Sequence, residues 1–382
     1  MRRAFVVVLD ACGIGALPDA DDYGDAGTNT LVHLAGAVGG LQLPALESLG
    51  LGCIQPIAGV TAVDRPALHG RLHALGPGKD STAGHWELMG VVAEAPMPTY
   101  PEGFPDEVIG LITAAAGRGV ICNRPYNGIA AIDDFGAEHL RTGALIVYTS
   151  QDSVLQIAAH ERLVSAALLQ EICGYVRREL PAEDNVGRVI ARPFKGEPGH
   201  FERTDARKDF ATEPPAMSYL DELQEAGVPV HSVGKAGQLF VGRGVDEQHP
   251  GATNAVALEQ TGKLMRTLDH GLVFTNLIET DQVYGHRHDM PGFVGALERI
   301  DAHVAVWLEL LRPGDLLVLT ADHGVDLTAN HTDHTREHVP LLAVWDGVEP
   351  RRHDGPMSDV GASVLRWLTG ADSAGLPGTP FL

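Results

Sequence analysis

The sequence predicts an α/β protein built on a mostly parallel sheet with helices on both faces, into which a smaller α/β domain is inserted. Three observations predict it. Short apolar runs that do not alternate recur along the chain, helical patterns lie between them, and a proline- and glycine-rich middle third breaks the alternation. A strand covered on both faces has no polar side to show, so a continuous apolar run reads as a buried parallel strand. Helices between such strands are what allow them to run parallel. At 382 residues the chain is long for a single core, and two domains are expected.

The first strand is AFVVVL (4–9), ended by Asp10. The inserted domain is expected over 99–221, which divides the core into 1–98 and 222–382. It opens on the proline-rich PMPTYPEGFP and closes in RPFKGEPGHFERTDARKDFATEPPA, which reads as loop-rich. Between these lie strands GVICN, ALIVYTS and GRVIARPF and the helix VSAALLQEICGYVRREL. The core resumes with four more runs expected as parallel strands: VPVHSVG (228–234), GLVFTNLIE (271–279), DLLVLTA (315–321) and VPLLAVW (339–345). Helical spacing marks NAVALEQTGKLMRTLD (254–269) and FVGALERIDAHVAVWLELLR (293–312). The last helix, SDVGASVLRWLTG (358–370), has Ser358 as its expected N-cap and a glycine at its end. No internal repeat interrupts this order.

Composition removes several function classes. Lys+Arg 28 against Asp+Glu 50 gives a formal charge of -22, the wrong sign for nucleic acid or an anionic membrane as main partner. A small anionic substrate stays compatible if metals or a few arginines reverse the field locally. No run reaches the about 18 apolar residues of a membrane span. The opening MRRAFVVVLD is too short and too soon acidic for a secretory signal. Cys12, Cys53, Cys122 and Cys173 lie far apart without C-x-x-C spacing, so they read as reduced thiols of a cytoplasmic protein.

One stretch, ADHGVDLTANHTDHTREH (321–338), crowds four histidines and three aspartates together. In open α/β sheets ligands bind beyond the carboxyl ends of the strands. Asp10, Asp281 and Asp322 follow three of the expected strands, His323 and His286 come with two of them, and His334 returns to the same edge. One aspartate at a strand end is usually a turn residue. Three carboxylates and three histidines on one edge point instead to metal. Mixed Asp/His sets suit Mn²⁺ or Zn²⁺, and two such ions suit phosphoryl chemistry. A further stretch, GPGKDSTAGHWELMG (76–90), places the Ser81 hydroxyl at the start of a helical pattern, where backbone N–H groups stabilise a phosphate. An ordinary N-cap role for Ser81 is equally compatible with that position.

The segments VVLDACGIGALPDADDYGDAGTNTL, GKDSTAGHWELMG, VYTSQDSVLQIAAHE, ARPFKGEPGHFERT, DQVYGHRHD and TADHG…TDHTREHVPLL together resemble the phosphopentomutases of the alkaline phosphatase superfamily, from end to end. The resemblance implies an alkaline-phosphatase-like core, with the insert as a cap that closes over the sugar. It implies two Mn²⁺ ions, one held by Asp10, Asp322, His323 and the Ser81 hydroxyl, the other by Asp281, His286 and His334. Ser81 becomes the nucleophile that carries phosphate. His331, His338, Asp326 and Asp333 match no metal position and are expected in turns or in solvent. Ser150, Asp152, Arg192 and Arg207 fall where the family grips the pentose phosphate, with Lys235 on the core side. The implied activity interconverts ribose 1-phosphate and ribose 5-phosphate, and the 2-deoxy sugars, with a sugar bisphosphate as intermediate and activator. Small pentose phosphates are then the partners, and the oligomeric state is left open. The chain departs from the family at Ser81 (usually threonine), Glu279 (Asp), His288 (Arg) and Gln238 (acidic), which bears on sugar preference and on transfer against hydrolysis. A metal-dependent phosphatase, a mutase for another sugar or for phosphoglycerate, and a metal-binding protein without turnover are the alternatives.

Overall fold

The structure is a computed structural model and describes residues 2–150 and 153–382. The chain forms two compact units, 1–95 with 213–382, and 96–212.

The first unit is built on a sheet of nine strands among the described residues. Their order is Glu247–His249, Val230–Val233, Gly271–Leu277, Arg3–Leu9, Asp315–Thr320, Val339–Trp345, Leu68–His73 and Arg351–Arg352, with Gly355–Pro356 also on Leu68–His73. The first five run parallel, with Val6 opposite both Phe274 and Val318. Every residue of the three central strands is buried, the polar Arg3 and Asp315 as an ion pair at their starts. Helices Asn254–Thr267 and Asp359–Thr369 both pack on Gly271–Leu277, and Met290–Leu310 packs on Asn254–Thr267.

Two expectations for this unit are corrected, and one strand is added. Val339–Trp345 pairs antiparallel with Asp315–Thr320, Leu319 opposite Leu342. A parallel return needs a crossover of a dozen or more residues, usually a helix, and 321–338 supplies only turns and bridges. Leu68–His73 was not anticipated as a strand, because histidine, glycine and Arg71 break its apolar run. Ser358 precedes the last helix but does not cap it: its backbone is already helical (φ −62, ψ −15) and its hydroxyl makes no hydrogen bond. Gly370 does end that helix, with φ 79.

The second unit holds a mixed sheet ordered Val120–Pro125, Leu145–Thr149, Val154–His160, Arg188–Glu197 and His200–Arg203, with Lys208–Ala211 also on Arg188–Glu197. Alternation divides its apolar residues between two clusters. Leu145 and Val147 belong to one, with Ile157, Ile172 and Val189, while Ile146 and Tyr148 belong to the other, with Ile132 and Phe194. The segment read as loop-rich is in fact a hairpin, Glu197 opposite His200, followed by the Lys208–Ala211 strand. Its charged residues sit on exposed strands, where no apolar periodicity is needed. No helix among the described residues is long and apolar enough to cross a membrane.

Candidate metal centre

Parallel strands Arg3–Leu9, Gly271–Leu277 and Asp315–Thr320 deliver their carboxyl ends to one edge. Asp10 follows the first directly. The next residue, Ala11, is buried with φ 63, a strained conformation for a residue with a Cβ. That conformation goes with an N–H that donates to Asp322 Oδ1 at 3.2 Å. Asp281 sits in the π-type turn Thr280–Tyr284 and His286 in the turn Gly285–Arg287 that follows. Because Val339–Trp345 runs the other way, the residues just before it also lie at this edge. The backbone pair Gly324–Thr335 pins the return and so places His334.

Leu68–His73 is antiparallel to Val339–Trp345, so it too ends here, and the helix Ser81–Leu88 begins shortly after. Asp80, rather than Ser81, caps this helix, accepting from the N–H groups of Thr82 (2.9 Å) and Ala83 (3.2 Å). Ser81 Oγ is thereby left to face the cluster, 3.1 Å from His323 Nε2 and 3.4 Å from Asp10 Oδ1. The helix can approach this closely only because residue 84 is glycine: a Cβ there would lie 2.2 Å from the Asp322 carbonyl oxygen.

The donor atoms converge. His323 Nε2 lies 3.4 Å from Asp10 Oδ1 and 3.5 Å from Asp322 Oδ2. Asp281 Oδ1 lies 3.2 Å from His286 Nε2 and 3.5 Å from His334 Nε2. Asp281, His286 and His334 form one compact ligand set; Asp10, Asp281 and His323 form another, so Asp281 stands within reach of both. The tautomers suit ligation. His323 Nδ1 donates to the Gly324 carbonyl (3.1 Å) and His286 Nδ1 to that of Thr332 (2.5 Å), which leaves each Nε2 with a lone pair turned to the carboxylates.

Electrostatics make the same demand. Burial lifts Asp10 to about 6, and the neighbouring Asp322 carboxylate adds to it. Against burial, the charge of His323 and the neighbouring His85 hold Asp322 at about 2. His286 and His334 likewise hold Asp281 well below the usual carboxylate range. Burial would lower His323, but Asp322 and Asp10 raise it well above its ordinary value. Asp281 Oδ1, Asp322 Oδ2 and His334 Nε2 are buried and make no hydrogen bond, in a cluster where such atoms are costly without a cation. Carboxylate and imidazole donors of this kind fit two divalent ions.

The other sequence-predicted residues are distributed as follows. Lys235 Nζ donates to Gln282 Oε1 (3.0 Å), next to Asp281 in sequence. In the second unit Arg192 is half-buried, with Nε donating to Gln156 Oε1 (3.1 Å), and burial lowers its pKa. Arg207 forks onto Asp209 at 2.7 and 2.6 Å. Ser150 directly follows the strand Leu145–Thr149; Asp152 lies outside the described residues. Asp326 is buried and accepts from Asn29 N, Thr328 and His33. His331 lies 3.2 Å from Asp25 Oδ1, and His338 Nδ1 is 3.2 Å from the Gly15 carbonyl oxygen. Asp333 stands 3.8 Å from His334 Nδ1, beside a ligand.

Two groups escaped sequence reasoning. His85 is fully buried under the cluster. Its Nδ1 donates to the Ser81 carbonyl (2.8 Å) and lies 3.2 Å from Asp322 Oδ2, while Asn276 Nδ2 donates to its Nε2 (3.1 Å) and to Asp10 Oδ2 (2.8 Å). The polar Asn276 inside the apolar run GLVFTNLIE was the available signal. In the second unit Arg203 and Tyr148 both reach Gly128. A Cβ on Gly128 would meet the Arg203 guanidinium at 2.2 Å and the Tyr148 hydroxyl at 2.8 Å.

The chain matches the model of the metalloenzyme superfamily over residues 2–370. It is 48% identical over 351 residues to a phosphopentomutase of Carboxydothermus hydrogenoformans, covering 91% of this chain and 90% of that one. It is 47% identical over 375 residues to one of Anaeromyxobacter sp. strain K, covering 96% and 95%. Among solved structures, phosphoglycerate mutase of Leishmania mexicana covers 99% of this chain, with 97% of its own covered (TM-score 0.50, 14% identity). The PH0037 protein of Pyrococcus horikoshii covers 98%, with 98% of its own covered (TM-score 0.50, 14% identity). At that identity these two speak for the fold alone.

Proposed function

The chain belongs to the metalloenzyme superfamily and, within it, to the phosphopentomutases, and from that premise we propose that it interconverts ribose 1-phosphate and ribose 5-phosphate through phosphorylated Ser81. The observation that carries this reading is the Ser81 hydroxyl, uncommitted to capping and 3.1 Å from a buried histidine of the ligand cluster. Asp10, Asp281, His286, Asp322, His323 and His334, with Ser81, would hold two divalent ions, which we assign as Mn²⁺. When bound, such ions neutralise phosphate oxygens and lower the pKa of a nearby hydroxyl.

The remaining steps belong to the chain's own groups. The N-terminus of Ser81–Leu88 turns the positive helix end toward a phosphate on Ser81, with the Thr82 and Ala83 N–H groups held by Asp80. His85 and Asn276 brace Asp322, Asp10 and the Ser81 backbone, so that Oγ keeps its place while charge moves past it. In transfer, the bond between phosphorus and Ser81 Oγ breaks and one forms to a sugar hydroxyl, whose proton returns Ser81 to its hydroxyl form. The sugar is then a bisphosphate. It reorients and gives its other phosphate back to Ser81, which completes the isomerisation and explains why a sugar bisphosphate would activate an unphosphorylated enzyme. Ser150, Asp152, Arg192 and Arg207 of the second unit are assigned to the pentose phosphate, a guanidinium fork matching two phosphate oxygens and a carboxylate accepting from sugar hydroxyls, and Lys235 of the first unit is assigned to the same substrate. Four free thiols support a reducing, cytoplasmic setting.

An assay on ribose 1-phosphate, scored at once for ribose 5-phosphate and free phosphate, tests the reading. Ribose 5-phosphate in excess of phosphate is expected. Phosphate alone would make the protein a phosphatase, and neither product would remove both readings.

A further inference from the structure

The structure holds a second convergence of ligand-type side chains, at the outer edge of the core sheet. Glu247 and His249 are two residues apart on the outermost strand, Glu247–His249, and so share a face. The parallel register sets Glu247 directly opposite His231 of the neighbouring strand Val230–Val233. His231 Nδ1 lies 3.0 Å from His249 Nε2 and 3.4 Å from Glu247 Oε2, and His249 Nε2 lies 3.8 Å from Glu247 Oε1. Donor atoms on one tetrahedral zinc ion at about 2.0–2.2 Å are about 3.3–3.6 Å apart. The two ring nitrogens, 3.0 Å apart, and the Glu247 oxygens nearest each of them, at 3.4 and 3.8 Å, lie on either side of that figure.

We propose that His231, Glu247 and His249 form a third cation site, for a borderline divalent ion of the zinc class, separate from the catalytic pair. A hydrogen bond between neutral rings accounts for the 3.0 Å approach of the histidines. It does not account for Glu247, whose largely exposed side chain turns back onto both ring nitrogens. Two imidazoles and one carboxylate leave a tetrahedral ion one position for water. Gln260, on the helix Asn254–Thr267, places its amide Nε2 3.1 Å from His249 Nδ1, and the amide turned over would place Oε1 there. An amide can turn either end to a ring nitrogen, so Gln260 can accept from Nδ1–H and hold the Nε2 lone pair toward the ion. The ion fastens the outermost strand, whose His249 carbonyl accepts from Gly234 N–H, immediately before Lys235.

Full-length protein loaded with manganese is incubated with Zn²⁺, desalted and measured for both metals. The wild type is expected to carry a zinc ion beyond its manganese, and the double variant His231→Ala, His249→Ala to carry none. Glu247→Gln changes only an exposed side chain and keeps the test valid if the double variant fails to fold. It should bind zinc at least about tenfold more weakly, the lower end of what even an outer-shell partner costs. Equal zinc affinity in the wild type and Glu247→Gln, or zinc entering the wild type only in exchange for manganese, overturns the proposal.

Discussion

Asp80 and Ser81 are neighbours with opposite duties. The carboxylate of Asp80 satisfies the first free N–H groups of the helix, and the hydroxyl of Ser81 is thereby available to the cluster. The strand-end carboxylates Asp10, Asp281 and Asp322 were legible because strand ends can be read from apolar runs. His85 was not, because a histidine within a helical pattern looks like any core residue until Asp322 is placed beside it. With the ligands drawn from separate strand ends, Asp322→Ala should lose one ion and His286→Ala weaken the other, each with turnover abolished and the fold retained. Elemental analysis finding full loading in both variants would contradict the assignment. Glu87, in the same helix, offers a pH test. Burial raises its carboxyl from 4.5 to about 6, although the N–H groups of Leu75 and Gly76 donate to it and pull it down. The folded state therefore binds this proton more tightly than the unfolded one. Its contribution to stability is full below about pH 4.5 and is lost as pH rises through about 6, a change of about 2 kcal/mol. Urea unfolding from pH 4 to 7 should show that slope in the wild type and lack it in Glu87→Gln.

At the scale of elements, a reversed strand completes the site. If Val339–Trp345 ran parallel, the residues before it would start at the opposite edge and His334 could not join Asp281. The periodicity gave the strand but not its direction, which the helix-free connection 321–338 decides. Glu337 secures this return. It is buried, and its carboxyl accepts from Gly15 N (3.1 Å), Thr30 N (2.9 Å), Thr30 Oγ1 (2.8 Å) and Thr335 Oγ1 (2.7 Å). Nothing in TDHTREH distinguished it from a solvated glutamate, because all its partners but Thr335 lie some three hundred residues away in sequence. Glu337→Ala leaves two backbone N–H groups unsatisfied, at about 1–3 kcal/mol each. Denaturant titration should find at least that loss, with weakened metal binding, and an unchanged midpoint would show the anchor to be dispensable.

Across the whole molecule, a chain of net charge -22 handles an anionic substrate, which requires the positive charge to be local. The first unit concentrates buried carboxylates and imidazoles at one sheet edge, where cations are needed, and the second holds Arg192, Arg203 and Arg207 on strands or the turns joining them. Motif order along the chain was enough to suggest the activity, because four of the quoted segments end a strand or start a helix at one edge of the first unit's sheet and the other two lie on strands of the second unit's sheet. Which residues brace Ser81 and its neighbouring carboxylates became visible only in three dimensions. The central claim is that Ser81 carries the phosphate between the two sugar positions. Incubation with a pentose bisphosphate, followed by proteolysis and phosphopeptide mass spectrometry, measures this directly. Phosphate is predicted on Ser81 in the wild type and absent in Ser81→Ala, which should keep its metals and lose mutase activity; phosphate on Thr82, or a fully active Ser81→Ala, would contradict the account.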